Sequence, residues 1–234
     1  MQLTPDLEKR LRELVTVFLD INQHINLSAL RTEEACWIGN VLDSLAYIEL
    51  ASGPSSQPSP AGRRRKLESF FDLGTGGGFP LLPLAIALPE AHFTGLDAVG
   101  KKVKAVTGIA EKLGLKNVKC IAERSEVLGK LPAHREKYDV VTSRAVAELR
   151  VLLEWCSPFV KIGGTVVVWK SLHIDEELKV CERAQRECGL ELETQHRYTL
   201  PGDFGERQLL VFRKMKNLAS VYPRGVGMAK QNPL

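Results

Sequence analysis

The 234-residue sequence lacks the features of membrane and secreted proteins. It contains no apolar run long enough to cross a bilayer, and Met1 to Thr4 do not begin a signal peptide. Its five cysteines are odd in number, widely spread and without a C-x-x-C pair. We therefore expect neither a disulfide framework nor a metal site, and we expect the reducing cytoplasm as its location.

Acidic residues are missing from the end of the chain. Residues 207–234 hold six basic side chains and no acidic one, whereas the net charge of the whole chain is only +4. A segment of one sign suits a polyanion such as RNA, or it simply keeps the terminus solvated. Basic clusters also occur at 63–66 and at Lys101, Lys102 and Lys104.

The composition, with 44% hydrophobic and 26% charged residues, is typical of a globular protein with one main domain and an appendage. We predict a helical appendage over 1–50 and a proline- and serine-rich insertion with its basic cluster over 51–66. The main domain is predicted over 67–216 and a basic C-terminal tail over 217–234. No apolar pattern repeats within the insertion.

Strand and helix patterns alternate after the insertion. Thr4-Pro5-Asp6 predicts a helix start, and a second helix is predicted near Thr32. Strands are predicted at 70–73, 91–96, 118–121, 138–142, 165–169, 190–199 and 208–212, and helices at 81–88, 101–113, 148–159 and 175–188. This alternation predicts an α/β fold with a mostly parallel, doubly wound sheet of seven strands. The short loop between the last two strands predicts that they form an antiparallel hairpin at the end of the sheet.

A glycine loop follows the first predicted strand of this sheet. Its pattern, D-x-G-x-G-x-G, begins at Asp72, and the positions do not fit the G-x-G-x-x-G of dinucleotide sites. The arrangement resembles the first motif of Rossmann-like methyltransferases, which bind S-adenosylmethionine. The cofactor-binding candidates in this stretch are Asp72, Gly74, Gly76, Gly78 and Phe79.

Polar residues also follow the next two strands, at the sheet edge where open α/β folds bind ligands. Asp97 follows the second strand, and its carboxylate can accept hydrogen bonds from ribose hydroxyls or can cap a helix. Ser125 and Glu126 follow the third strand, where an adenine edge would lie. For these two residues a helix cap is an equally good interpretation.

Arg144 follows the fourth strand, at the position expected to face the transferred methyl group. The Asn/Asp-Pro-Pro-aromatic run of amine methyltransferases is absent there, and Cys156 lies in a predicted helix and is expected in the core. These absences leave a ring nitrogen such as guanine N7, or an oxygen of a small molecule, as the acceptor. Arg144 is able to bind a carboxylate or phosphate through two hydrogen bonds, or it forms a surface ion pair.

Taken together, these motifs are similar to those of the RsmG (GidB) family of 16S rRNA guanine-N7 methyltransferases. The similar stretches are 25–31, 42–45, 71–86, 96–97, 100–103, 124–126, 143–145, 205–207 and 222–224. The resemblance implies a Rossmann-like class I fold and methyl transfer from S-adenosylmethionine to a guanine in the 530 loop of 16S rRNA. It implies cofactor contacts at Gly74, Phe79, Ser125, Glu126 and Arg144, of which Arg144 is also the catalytic candidate.

The sequence departs from the family pattern at Gly39-Asn40, which replace Arg-His, and at Leu81 and Ser171. The first departure concerns RNA contacts by the N-terminal helices and leaves the cofactor motifs intact. We expect a monomer that acts on 16S rRNA or the small ribosomal subunit, without a membrane. The alternatives are a methyltransferase acting on a small molecule and a non-catalytic RNA-binding protein.

Overall fold

The computed structural model describes residues 3–52, 69–172 and 174–234. The strands of its sheet are β1 Ser69–Leu73, β2 His92–Asp97, β3 Val118–Ala122, β4 Tyr138–Arg144, β5 Val160–Lys170, β6 Leu190–Leu200 and β7 Gly205–Lys214. In the described chain they form one seven-stranded sheet in the order β3-β2-β1-β4-β5-β7-β6. Strands β1 to β5 pair in parallel, whereas β7 is antiparallel to both β5 and β6. The predicted parallel sheet with a terminal hairpin is confirmed. The predicted insertion and the basic cluster at 63–66 lie almost entirely outside the described residues.

Helices cover both faces of the sheet. They are α1 Pro5–Ile25, α2 Glu33–Cys36, α3 Asp43–Ser52, α4 Leu81–Ala87, α5 Gly100–Lys112, α6 Ser125–Leu128, α7 Leu149–Cys156, α8 Asp175–Lys179, α9 Glu182–Cys188 and α10 Met228–Gln231, with a π-helical segment, Trp37–Leu42, joining α2 to α3. The predicted first helix start is confirmed, because Thr4 Oγ1 accepts a hydrogen bond from the Leu7 amide. None of the described helices is long and apolar enough to cross a membrane.

The N-terminal helices share the core of the main domain. Leu11, Leu14 and Phe18 of α1 are fully buried in one cluster with residues of α4 and α5. The ring of Phe18 meets that of Phe79 edge to face, with centroids 4.9 Å apart. The first helix thereby packs directly behind the glycine loop and fixes one side of it.

The opposite face of the sheet is covered mainly by α7 and α9. One difference from the sequence prediction lies here, because the single helix predicted over 175–188 is wrong. The chain forms two short helices, interrupted at Val180 and Cys181. Cys181 is fully buried whereas Val180 is 52% exposed, so the break turns the thiol into the core.

The C-terminal segment, 217–234, packs on the domain. Leu218, Ala229 and Leu234 are buried, and the guanidinium of Arg135 donates hydrogen bonds to the carbonyl oxygens of Leu218 and Tyr222. Three of the six basic residues of 207–234 have carboxylate partners: Arg213 with Glu193, Lys214 with Glu136, and Arg224 with Glu154. The charges of these three residues are therefore paired within the chain, and an RNA contact of the tail stays a prediction.

Candidate functional site

A cleft of ≈ 480 Å³ lies beyond the carboxyl ends of β1 to β4, where the strand order reverses between β1 and β4. Ligands of open α/β folds bind at this topological position. The structure brings most of the predicted site residues together in its wall, namely Gly74, Gly76, Phe79, Asp97, Ser125, Glu126 and Arg144. Asp72 and Gly78 are not part of the wall.

The glycine loop is held against β2 by its own backbone. The amides of Gly74 and Thr75 both donate to the carbonyl oxygen of Leu96, at 2.8 and 2.9 Å. Gly76 lines the cleft at φ +54°, and a Cβ there would have only the Gly74 oxygen near it, at 3.7 Å. The space that a side chain would occupy is therefore left open for a ligand to approach the backbone.

Gly78 is required for packing inside the protein. Its φ is +88°, and a Cβ would lie 2.6 Å from Leu82 Cδ1 and 3.2 Å from Val106 Cγ1. Both the dihedral angle and the contact exclude a side chain. The loop glycines thus differ in role, since Gly76 leaves the cleft open and Gly78 lets α4 approach the loop.

Asp72 lies behind the loop and is 2% exposed. Thr142 Oγ1 donates to its Oδ1 atom at 2.7 Å. Burial raises the pKa of Asp72 to about 6, against the smaller lowering effect of the Thr142 and Thr75 hydroxyls and of Arg144. Its buried position behind the glycine loop, outside the cleft wall, indicates that Asp72 supports the loop and does not line the cleft.

Asp97 connects the loop to the start of α5. Its Oδ2 atom accepts a hydrogen bond from the Gly76 amide at 2.9 Å, and its Oδ1 atom accepts one from the Val99 amide at 2.8 Å. Each carboxylate oxygen retains a second lone pair. The carboxylate therefore organises the backbone and also keeps acceptors for a hydroxyl group at the cleft, so the predicted ribose contact remains a prediction.

Ser125 and Glu126 form the first turn of α6. The interpretation of Ser125 as a helix cap is wrong, because the N-cap residue of α6 is Arg124. The side chain of Arg124 forms no capping hydrogen bond. Ser125 Oγ instead donates to Glu126 Oε2 at 3.0 Å. Glu126 Oε1 accepts from the Gly227 amide, also at 3.0 Å, and this contact joins the cleft to the C-terminal segment.

Arg144 reaches the cleft from the end of β4 and is anchored by the N-terminal helices. Its Nη1 atom lies 2.7 Å from Asp43 Oδ2 and 3.0 Å from the Gly39 oxygen, and Nη2 lies 2.7 Å from Asn40 Oδ1. The side chain of Arg144 is 17% exposed and that of Asp43 is 9% exposed. The surface ion pair considered from the sequence is therefore largely buried, and it borders the cleft.

Asp43 was not identified as a site residue from the sequence. Its Oδ1 atom accepts from the Tyr198 hydroxyl at 2.6 Å, and its carbonyl oxygen accepts from Trp169 Nε1 at 2.8 Å. This single residue links the N-terminal helices to β4, β5 and β6. Its only signal in the sequence was the stretch 42–45 that resembles the RsmG family.

Cys156 is fully buried in α7, and burial raises the pKa of its thiol. The prediction that it belongs to the core is confirmed. A buried thiol held in its neutral form does not act as a nucleophile on a base bound at the cleft.

Sequence comparisons relate the chain to known proteins. The family model described as rRNA small subunit methyltransferase G (GidB) matches residues 7–202. A ribosomal RNA small subunit methyltransferase G of Carboxydothermus hydrogenoformans is 38% identical over 91% of this chain and 86% of its own. A protein of the same name from Listeria monocytogenes is 32% identical over 100% of this chain and 94% of its own.

Solved structures resemble the fold at low sequence identity. The YcgJ protein of Bacillus subtilis has a TM-score of 0.55 at 13% identity, covering 75% of this chain and 99% of its own. NSun6 of Pyrococcus horikoshii, solved with SFG, has a TM-score of 0.52 at 17% identity, covering 64% of this chain and 48% of its own. These similarities concern the fold alone.

Proposed function

The chain belongs to the rRNA small subunit methyltransferase G family, and from this membership and its cleft we propose that it methylates N7 of a guanine in 16S rRNA. The observation that carries the proposal is the placement of the glycine loop, Asp97, Glu126 and Arg144 around one cleft at the switch point of the sheet. By family resemblance, the guanine lies in the 530 loop.

S-adenosylmethionine is the methyl donor, and it supplies an electrophilic methyl group on its sulfonium. The cleft volume of ≈ 480 Å³ lies within the range of cofactor sites. The open side of Gly76 admits a ligand to the backbone, and Asp97 and Glu126 offer acceptors for hydroxyl and amino groups. The residues present therefore fit the donor, with Gly74, Gly76, Phe79, Asp97, Ser125, Glu126 and Arg144 as the proposed contacts.

The choice of guanine N7 as the methyl acceptor rests on two groups that the described residues of the cleft wall do not provide, a nucleophilic thiol and a Pro-Pro pair. Guanine N7 carries an in-plane lone pair and no proton, so its methylation requires no general base. Cys156 is excluded as a carbon-5 nucleophile by its burial, and Ser143-Arg144-Ala145-Val146 contains no Pro-Pro pair to hold an amino group. In the transfer the N7–methyl bond forms as the sulfur–methyl bond breaks, leaving S-adenosylhomocysteine and a cationic base.

This chain's own contribution is then positioning and electrostatics. Arg144 is held in place by Asp43 and Asn40, so its guanidinium borders the cleft in one orientation. We propose that this fixed cation orients the donor or an RNA phosphate next to the reacting base. The edge-to-face packing of Phe18 against Phe79 limits movement of that side of the wall.

The RNA is expected at the mouth of the cleft. Lys102 and Arg124 line the cleft, and Lys101 and Lys104 are exposed nearby on α5. The lysines of this group form no ion pair with the described residues, so their charge is available to phosphates. We propose that the protein acts as a monomer in the cytoplasm, on the small-subunit RNA.

The test is methyl transfer by the purified protein with radiolabelled S-adenosylmethionine. The acceptors are 16S rRNA and small subunits from cells lacking this modification, with 23S rRNA and guanosine nucleotides as controls. The proposal predicts label in 16S rRNA alone, recovered as 7-methylguanine. Transfer only to small acceptors would support a small-molecule enzyme, and donor binding or RNA binding without transfer would support a non-catalytic protein.

A further inference from the structure

The C-terminal segment contributes to the wall of the cleft at its α6 side. Lys230 lines the cleft together with Ser125 and Glu126. The Nζ atom of Lys230 lies 5.3 Å from the centroid of the Trp155 ring, which lines the same wall. The sequence alone suggested a role for this lysine only as part of a basic tail.

The segment is fixed in this position by three kinds of contact. The Gly227 amide donates to Glu126 Oε1, and Arg224 pairs with the buried carboxylate of Glu154, at 2.6 Å between Nη2 and Oε2. Ala229, directly before Lys230, is 1% exposed. Because the backbone on both sides of Gly227 is held, Lys230 is presented to the cleft by a rigid support.

The hydrogen-bonding groups of this wall are mostly acceptors. Glu126 accepts through both of its oxygens, and the Ser125 hydroxyl already donates to Glu126. The ammonium group of Lys230 has three N–H donors and forms no hydrogen bond or ion pair with the described residues; it lies over the face of Trp155. A ligand here meets carboxylate acceptors on one side and a lysine donor on the other.

Adenine matches this pattern, because its exocyclic amino group donates and its ring nitrogens accept. We propose that the segment 225–234 forms part of the cofactor site and that Lys230 is a cofactor-binding residue, donating from its ammonium group to a ring nitrogen of adenine. The inference rests on the proposed use of S-adenosylmethionine. It assigns to the C-terminal segment a role in binding the donor, in addition to any contact with RNA.

The experiment measures the affinity of the full-length protein for S-adenosylhomocysteine by calorimetry. Lys230→Met removes the donor and keeps the length of the side chain, and Lys230→Arg keeps a donor. The matched control is Lys216→Met, since Lys216 is exposed in the same part of the chain and lies outside the cleft wall. A hydrogen bond from a charged donor predicts roughly tenfold weaker binding for Lys230→Met. We expect partial recovery for Lys230→Arg and a change below about twofold for Lys216→Met.

Analogues of S-adenosylhomocysteine that lack one ring nitrogen at a time identify the contacted atom. Wild type and Lys230→Met should bind with equal affinity to the one analogue that lacks the ring nitrogen contacted by Lys230, because that ligand no longer carries the acceptor. An equal loss with every analogue would overturn the assigned hydrogen bond. If Lys230→Met binds S-adenosylhomocysteine as tightly as wild type, the proposal as a whole is overturned. This holds even if the variant binds RNA more weakly and with a smaller salt dependence, since Lys230 would then be an RNA contact. Failure of wild type to bind S-adenosylhomocysteine would instead refute the proposed function.

Discussion

Arg144 allows the sharpest test of the site, because one guanidinium meets three acceptors from two elements. Lysine at this position has a single Nζ atom and is able to keep the short contact with Asp43. It then leaves Asn40 Oδ1 and the Gly39 oxygen without the donors that now lie at 2.7 and 3.0 Å. Arg144→Lys therefore preserves the charge and removes the geometry.

The expected effect on stability follows from burial. Asn40 is 3% exposed, so an acceptor left without its donor there costs about 1–3 kcal/mol. For a chain of this size, about 2 kcal/mol corresponds to a fall in Tm of roughly 4–8 °C. Arg144→Ala should lose more, about 3 kcal/mol, because it leaves the buried Asp43 carboxylate without its cation.

The effect on rate is measured separately, in single-turnover methyl transfer at saturating donor well below the Tm of the variant. A shift of the guanidinium position predicts a loss on the order of a hundredfold for Arg144→Lys. The matched control is Arg150→Lys, whose partner Glu148 is 44% exposed, so that little change is expected in either measurement. A rate equal to wild type, together with the lowered Tm, would show that Arg144 only joins the N-terminal helices to the sheet.

Further predictions concern the loop and the core. Gly78→Ala should destabilise the fold by about 1–3 kcal/mol in denaturant unfolding, because its Cβ would meet Leu82, whereas Gly76→Ala should cost about 1 kcal/mol and mainly abolish binding of the donor in calorimetry. Equal unfolding losses for the two variants would contradict the different roles of these glycines. The pKa of Asp72 is raised from 3.8 to about 6 on folding, so its charge destabilises the folded state increasingly from about pH 4 to pH 6 and fully above that range. The free energy of unfolding of Asp72→Asn, relative to that of wild type, should therefore increase by up to about 3 kcal/mol as the pH rises from about 4 to about 7. A difference between the two proteins in thermal unfolding that does not change with pH would refute this. Cys156→Ser should keep the single-turnover rate within about twofold while costing about 1–2 kcal/mol of stability, and loss of the rate in a folded variant would revive a thiol mechanism.

Local patterns predicted the sheet and the position of the cleft. Each strand bounded by turn residues was found, because apolar strands and glycine loops are specified by neighbouring residues. The glycine loop, Asp97 and Ser125-Glu126 follow consecutive parallel strands, and a parallel sheet brings such residues to one edge. The placement of these residues around the cleft was therefore predictable wherever it depended on strand order.

Contacts between distant segments were not predictable in the same way. Arg144 and Asp43 are far apart in the sequence, and no periodicity connects the first residue of α3 to the end of β4. The position of Lys230 depends on Gly227 meeting Glu126 and on Arg224 meeting Glu154, and the composition of the segment suggested only a basic tail. The break between α8 and α9 likewise depends on where Cys181 is buried in the core.

The proposed function is that this chain methylates N7 of one guanine in 16S rRNA. It is tested most directly by mapping 7-methylguanine in 16S rRNA from cells with the gene, without it, and with the gene restored as wild type or as Arg144→Lys. We expect one 7-methylguanine in the 530 loop that disappears with the gene, returns with wild type and returns weakly with the variant. An unchanged 16S rRNA in cells without the gene, or a lost methyl group on another atom, would contradict it.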